Sequence, residues 1–240
     1  MLSKNEIKFI TRLGQKKYRL QDHFFIVEGV KTINELLQST FELHQLYTTE
    51  TFNIDAKKEI LISESALKKI SFLKTPNKAL AVFKIPQSKP IDFNNLIVAL
   101  DDVRDPGNLG TIIRLCDWFG VKDLICSKQT VDCYNPKVVQ ATMGSIARVT
   151  ISYMDLDLVL NTTELPVFGA FMDGKNVYKA QLPEKGILVM GNEANGISKA
   201  VENEVSHRIA IPRFGDLKAT ESLNVATATS ILLSEFRRSL

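Results

Sequence analysis

Cysteine and histidine are both scarce in this 240-residue chain, at three each. Cys116, Cys126 and Cys133 are odd in number and have no C-x-x-C spacing, which argues against a disulfide framework and against a structural zinc. His23, His44 and His207 are too scattered in sequence to suggest a metal site, so each is expected to be an ordinary surface or core residue. Long apolar runs are also missing, and none approaches the roughly 18 residues that a membrane helix needs. The opening stretch MLSKNEIKFITRLGQKKYRL has no apolar signal core. The expected setting is therefore the cytoplasm.

What is present is a globular composition, with 45% hydrophobic and 24% charged residues. The length allows one large domain or two ordinary ones. The net charge of +3 hides an asymmetry: residues 1–90 hold 15 Lys/Arg against 9 Asp/Glu, and residues 91–240 hold 15 against 18. A basic first part suggests contact with a polyanion; a solvated lysine-rich helix face is the other reading of the same charges.

Taken in order, residues 3–20 read as a short amphipathic helix or arm, with Ile7, Phe9, Ile10 and Leu13 apolar and lysines between them. FFIVEG at 24–29 reads as a buried strand, followed by a helix from Val30. Strands are expected at 44–49, 61–63 and 79–84, with Ser63 capping a helix between the last two. The order β-α-β-(α)-β-α-β makes a small α/β domain over residues 1–88. KIPQSKPID at 84–92 carries two prolines and is the best boundary in the chain. Beyond it, over 93–240, apolar strands such as LIVAL (96–100) and ILVMG (187–191) alternate with helical segments. That pattern predicts a second α/β domain with a mostly parallel sheet.

The loops at the ends of these strands carry the chemistry. GNEANGIS spaces Gly191 and Gly196 as a phosphate loop does, but Ile197 stands where that loop needs its lysine. DPGNLG lacks the G-x-G-x-x-G spacing of a dinucleotide site. A serine hydrolase elbow, G-x-S-x-G, is absent. Asp101, Asp102 and Asp105 read better as a solvated loop than as a magnesium site. What remains is glycine-lined backbone at Gly107, Gly110, Gly191, Gly196 and Gly215, suited to an uncharged or zwitterionic ligand. Arg114, Glu193 and Asn224 stand out as polar side chains among these loops. Arg114 lies on an otherwise apolar helix and is either a functional cation or a surface residue beside Asp117.

Three ordered motifs then carry a resemblance. They are NLGTIIR from Asn108 to Arg114, VMGNEANGIS with Gly191, Glu193 and Gly196, and IP…ESLNVA with Ile211, Pro212, Ser222, Leu223 and Asn224. Residues 96–236 resemble the SpoU (TrmH-type) RNA ribose 2′-O-methyltransferases of the SPOUT superfamily. Residues 1–88 look like the RNA-binding extension that many members carry. The resemblance implies an α/β fold with a C-terminal trefoil knot, a homodimer, and S-adenosylmethionine as cofactor held by Gly191, Ile211 and Leu223. No metal is expected, as the scattered cysteines and histidines already indicate. The resemblance places Arg114 at the centre of catalysis, with Asn108, Glu193, Ser222 and Asn224 positioning the arginine and the ribose. The implied substrate is RNA, with ribosomal RNA favoured over transfer RNA because the extension is a full α/β domain at the front of the chain. A non-catalytic RNA-binding or assembly factor is the remaining alternative, and the intact Arg114, Glu193 and SLN argue against it. Two departures from the family pattern stand out: the segment GDLKATES (215–222) is longer than usual, and Ala226 replaces a serine found in many members.

Overall fold

The structure is a computed structural model, and it describes residues 2–215 and 222–238. The chain forms two compact units, one running to Gln87 with Asp132–Ala147 added, the other comprising Ser88–Val131 and the chain from Arg148 onward.

In the first unit, Ser3 and Glu6 form a reciprocal capping box that starts α1 (Lys4–Arg12). The expected single helix over 3–20 is instead two: Gly14 falls in the break, and α2 (Lys16–Asp22) ends at His23 in the left-handed region, φ 58°. There follow β1 (Phe24–Glu28), α3 (Val30–Leu37), β2 (Leu43–Thr48), β3 (Glu59–Leu61), α4 (Glu64–Ile70) and β4 (Ala79–Lys84). Ser63 caps α4 as its sequence predicts, accepting the Ala66 N–H. The optional helix between β2 and β3 does not form; residues 49–58 are loop and turn.

The sheet order is β1-β4-β2-β3, with β1 at an edge. Strand alternation sends Ile26, Leu80 and Val82 to one face, where Ile10, Leu13, Leu67 and Ile70 of the α1 and α4 regions cover them. Phe25 points the other way and packs against Phe41, Phe83 and Tyr134.

Tyr134 introduces a departure from the expected layout. Residues 132–147, expected within the 93–240 domain, belong by their contacts to the first unit. The reason is a buried charge. Arg19 is 2% exposed, gives Nη1 to the Leu13 carbonyl at 2.7 Å, and gives Nε to Asp132 Oδ2 at 2.9 Å. A buried guanidinium without a counterion is costly, so Asp132 holds its segment to this unit. The helix α6 (Pro136–Thr142) follows and packs against β1.

The second unit is the mostly parallel α/β layer predicted. Its elements are β5 (Leu96–Leu100), α5 (Pro106–Trp118), β6 (Asp123–Ser127), β7 (Thr150–Met154), α7 (Leu156–Thr162), β8 (Val167–Asn176), β9 (Gly186–Met190), α8 (Lys199–Glu202), β10 (His207–Ala210) and α9 (Val225–Arg237). The strand order is β10-β8-β9-β5-β6-β7, and every pairing among the described residues is parallel. β5 and β9 are buried along their whole lengths, which explains their unbroken apolar sequences. On one face Ala99, Ile125 and Val189 pack against Leu156, Leu160 and Val201. The helices α5 and α9 pack on each other, and Arg237 Nε reaches the Phe119 carbonyl at 3.0 Å.

The chain leaves β5 toward β6 and β7 and later returns to its other side through β9. The loops that follow β5 and β9 therefore meet at a topological switch point, the usual place for a ligand cleft in an open α/β sheet. No helix among the described residues is long and apolar enough to cross a membrane.

Candidate active site

The loop after β5 is held by backbone and by its own carboxylates. Asp101 is buried; its N–H donates to the Met190 carbonyl at 2.9 Å, and its Oδ2 accepts the Ser198 N–H at 2.7 Å. Asp102 adopts φ 57°, donates its N–H to Ser127 Oγ, and pairs with Arg104 Nε at 2.7 Å. Asp105 caps α5 by accepting the Asn108 N–H at 2.8 Å, and Pro106 takes the first helical turn. The expectation of a solvated aspartate loop is corrected for Asp101, which is buried; Asp102 is partly buried and Asp105 is exposed, each with a local partner. No cluster that could hold a metal occurs among the described residues.

The loop after β9 is a closed turn. Asn192 and Gly196 exchange backbone hydrogen bonds, both at 2.9 Å. Asn192 Oδ1 accepts from the Ala194 and Asn195 N–H groups, and its Nδ2 donates to the Asp102 carbonyl at 2.7 Å. Gly196 sits at φ 69°, a conformation that suits glycine. Gly191 is required for a different reason: a Cβ there would stand 2.3 Å from the Gly196 carbonyl carbon. These constraints fix the tip of the turn, where Glu193 is exposed.

Three of the residues singled out in sequence now come together. Asn108 Nδ2 donates to Glu193 Oε1 at 2.7 Å, and Asn224 Nδ2 donates to Asn108 Oδ1 at 2.9 Å. Asn224 is also the N-cap of α9, its Oδ1 accepting the Ala226 and Thr227 N–H groups at 2.9 and 3.2 Å. The cap decides which way the Asn224 amide faces, and so decides the polarity of the whole chain of bonds. Its last acceptor is a carboxylate, which strengthens the bond it receives. All three residues line a cleft of about 670 Å³, together with Arg104, Asp105 and Asn192. Arg104 is the one cation in that lining among the described residues, and its hydrogen bond to Asp102 raises its pKa further.

The other expected residues lie apart from this relay. Arg114 is exposed on α5, six residues beyond Asn108 and so about 9 Å along the helix axis. It has no hydrogen-bond or ion-pair partner among the described residues. Gly191 and Ile211 directly follow β9 and β10, and Leu223 is 48% exposed just before the α9 cap. Ser222 is exposed beside it. Most of the longer segment 215–222 lies outside the described residues, since 216–221 are not among them. Ala226, the second departure, is buried and its N–H is one of those capped by Asn224, so the missing hydroxyl leaves the cap intact.

Sequence reading missed Asn192, Asp101 and Arg104. Asn192 sits inside the GNEANG motif, and an asparagine two residues after a strand end is a known turn-former; that was the available signal. Nothing local marks Asp101 as the acceptor for Ser198, 97 residues away.

Comparison with known proteins places this geometry. Residues 95–234 match the family model described as the SpoU rRNA Methylase family, and residues 4–81 match the MRM3-like substrate binding domain. The chain is 28% identical to the Bacillus subtilis (strain 168) 23S rRNA (guanosine(2553)-2′-O)-methyltransferase RlmP, over 98% of this chain and 97% of the relative. A solved structure from Porphyromonas gingivalis assigned to the TrmH family is 40% identical, with a TM-score of 0.91 and full coverage of both chains. An AdoMet-bound rRNA methyltransferase structure from Sinorhizobium meliloti is 30% identical, with a TM-score of 0.89 over 100% of this chain and 97% of that one. The first family match spans more than half of the chain and contains the relay, Arg114 and the strand ends described above, and on that ground the chain belongs to the SpoU rRNA Methylase family.

Proposed function

We propose that this protein transfers a methyl group from S-adenosylmethionine to a ribose 2′-hydroxyl of ribosomal RNA. The observation that carries the reading is the Asn224–Asn108–Glu193 relay, set at the switch point of a chain matched over its length by a ribosomal RNA 2′-O-methyltransferase.

The residues proposed for the cofactor fit it. Gly191 and Ile211 offer backbone at strand ends, Leu223 offers exposed apolar surface, and none of the three is charged. Such a set suits an adenosine and a zwitterionic amino acid and does little for a polyphosphate. When bound, S-adenosylmethionine supplies an activated methyl group on a sulfonium.

The chain's own residues then hold the nucleophile. A 2′-hydroxyl is a poor nucleophile at neutral pH and must lose its proton as attack proceeds. Glu193 spends Oε1 on Asn108, which leaves Oε2 to accept the ribose hydroxyl's hydrogen bond and then its proton as the oxygen takes the methyl group. Asn108 and Asn224 keep that carboxylate oriented, and Ser222 stands beside them in sequence. Arg114 orients a substrate phosphate and stabilises charge near the reacting hydroxyl. A guanidinium, with a pKa of about 12.5–13.8, is a poor base, so electrostatic placement is its better role. Most of the rate enhancement is placement of the hydroxyl.

The first unit, with its excess of basic side chains, delivers the RNA through phosphate contacts. The proposal extends to a homodimer, a trefoil-knotted C-terminal segment and a cytoplasmic setting. Family membership supports these, and Trp118, 84% exposed at the end of α5, is apolar surface of the kind a second copy covers. The test is a map of ribose methylation in cellular ribosomal RNA with and without the gene. One 2′-O-methyl mark should vanish with the gene and return with the wild-type chain; an unchanged map sinks the reading.

A further inference from the structure

The first unit contains a second cavity, remote in sequence from the catalytic motifs. It measures about 300 Å³. With roughly 30 Å³ per water-sized group, that is room for a flat ring system of about ten heavy atoms. From β1 and the segment after α4 its lining includes Ile26, Glu28, Phe72 and Leu73.

Phe72 gives the cavity its character. The side chain is 41% exposed, unusual for a phenylalanine inside a compact unit. Its ring lies over Gly14, where an added Cβ would come within 2.5 Å of Cε1, so glycine lets the ring lie close to the backbone. The backbone that carries it is also fixed. Glu28, buried at the end of β1, accepts the Phe72 N–H at 2.8 Å and the Ser71 hydroxyl, and Ser71 Oγ accepts the Leu73 N–H at 3.1 Å. The result is an aromatic face held still and left partly uncovered.

The opposite lining comes from one face of α6: Pro136, Lys137, Gln140 and Ala141. Neither the Gln140 amide nor the Lys137 ammonium has a hydrogen-bond partner among the described residues. Lys68, Lys69 and Lys74 are exposed on the chain leading to and from Phe72. An uncovered aromatic ring, an amide that both donates and accepts, and the ammonium of Lys137 in the lining together match one kind of occupant.

We propose that this cavity takes one unstacked nucleobase of the RNA, with Phe72 stacking on it, Gln140 bonding its edge and Lys137 meeting the adjoining phosphate. The proposal rests on the reading of the first unit as an RNA-binding unit, which the substrate-binding domain match over residues 4–81 supports. It deepens that reading: the first unit reads a base as well as holding the backbone.

The test uses the full chain and two fluorescent probes of about six nucleotides, a single-stranded RNA and the same ribose-phosphate backbone without bases. Phe72→Leu, which keeps apolar packing on Gly14, should weaken binding of the RNA about tenfold and leave the base-free probe unchanged. Phe72→Trp should restore RNA binding. Lys137→Ala should weaken both probes and lower the salt slope by about one. In methylation assays Phe72→Leu should raise KM for RNA with kcat kept. Equal binding of RNA by Phe72→Leu and wild type, or equal loss for both probes, overturns the proposal. So does a Phe72→Leu chain that changes only its self-association, which assigns the cavity to a protein partner. If wild type binds RNA in a base-dependent manner but marks no ribosomal RNA, the methyltransferase reading falls and the cavity is still scored by the probes.

Discussion

Asn224 Nδ2 lies 2.9 Å from Asn108 Oδ1 while Asn224 Oδ1 caps α9, so one side chain ties the start of a helix to the Glu193 carboxylate two bonds away. The two halves of that amide can be separated by mutation. Asn224→Asp keeps the cap, because a carboxylate caps as well as an amide. It loses the donor to Asn108 and sets two oxygens against each other. The expected outcome is a folded protein with an unchanged melting temperature and kcat lowered by about tenfold or more, the cost of a lost hydrogen bond plus a misdirected acceptor. Asn224→Ala should lose the same activity and also about 1 kcal/mol of stability from the cap. Equal melting temperatures for the two variants would contradict the capping role. Combined with Asn108→Ala, either change should add little further loss, because the residues act as one unit.

Arg114 has no internal partner among the described residues, so its removal should not disturb the fold. Arg114→Ala is expected to lower kcat by roughly 10²–10³-fold, the scale of a lost electrostatic stabiliser. S-adenosylmethionine affinity by calorimetry should stay within about twofold of wild type, since the role proposed for the residue is toward the substrate phosphate. Arg114→Lys should recover only part of the activity, because an ammonium cannot grip a phosphate with two parallel bonds. Full turnover in Arg114→Ala would remove the arginine from the mechanism.

Much of the second unit was legible because its signals are local. LIVAL and ILVMG are unbroken apolar runs of the length a strand covered on both faces carries. In the first unit the cap residue Ser63 was legible in the same way, a short polar side chain standing before an apolar helix. What could not be read depends on partners far off in sequence. The helix 136–142 looks like any amphipathic helix of the second domain, and its true neighbour is fixed by Arg19, 113 residues before Asp132. Asp101 looks solvated because its partner, the Ser198 N–H, lies 97 residues away and is set by how the loops meet. Within the site, the motifs named Asn108, Glu193 and Asn224, but only the structure orders them into a directed relay.

That Arg19–Asp132 pair leads to a stability prediction. Arg19 is 2% exposed, and Asp132 Oδ2 receives both its Nε and Nη2. Removing one partner leaves a charge buried without compensation, which costs about 3–5 kcal/mol. Asp132→Ala should therefore lower the urea midpoint sharply. The double variant Arg19→Met with Asp132→Leu should recover most of that loss, since an apolar pair of similar volume avoids desolvation altogether. A single Asp132→Ala change with less than about 1 kcal/mol of effect would show that water reaches the guanidinium.

Glu28 gives a pH signature of opposite sign to that of an ion-paired carboxylate. Burial raises its pKa above the ordinary 4.5, and the hydrogen bonds from Ser71 and the Phe72 amide offset only part of that rise. The folded chain therefore binds more protons than the unfolded chain between 4.5 and the raised value. Over that window Glu28 makes stability fall as pH rises, and above the folded pKa its contribution is flat. Most paired carboxylates do the reverse and lose stability as pH falls. Glu28→Gln removes the titration while its amide can still accept the Phe72 N–H and donate to Ser71 Oγ. Denaturant midpoints measured from pH 4 to 8 should thus differ in slope between wild type and Glu28→Gln just above 4.5, the variant gaining relative stability as pH rises, with a constant difference near neutrality. Parallel curves throughout would mean that the carboxylate is solvated in the folded protein and that Phe72 is held by its amide alone.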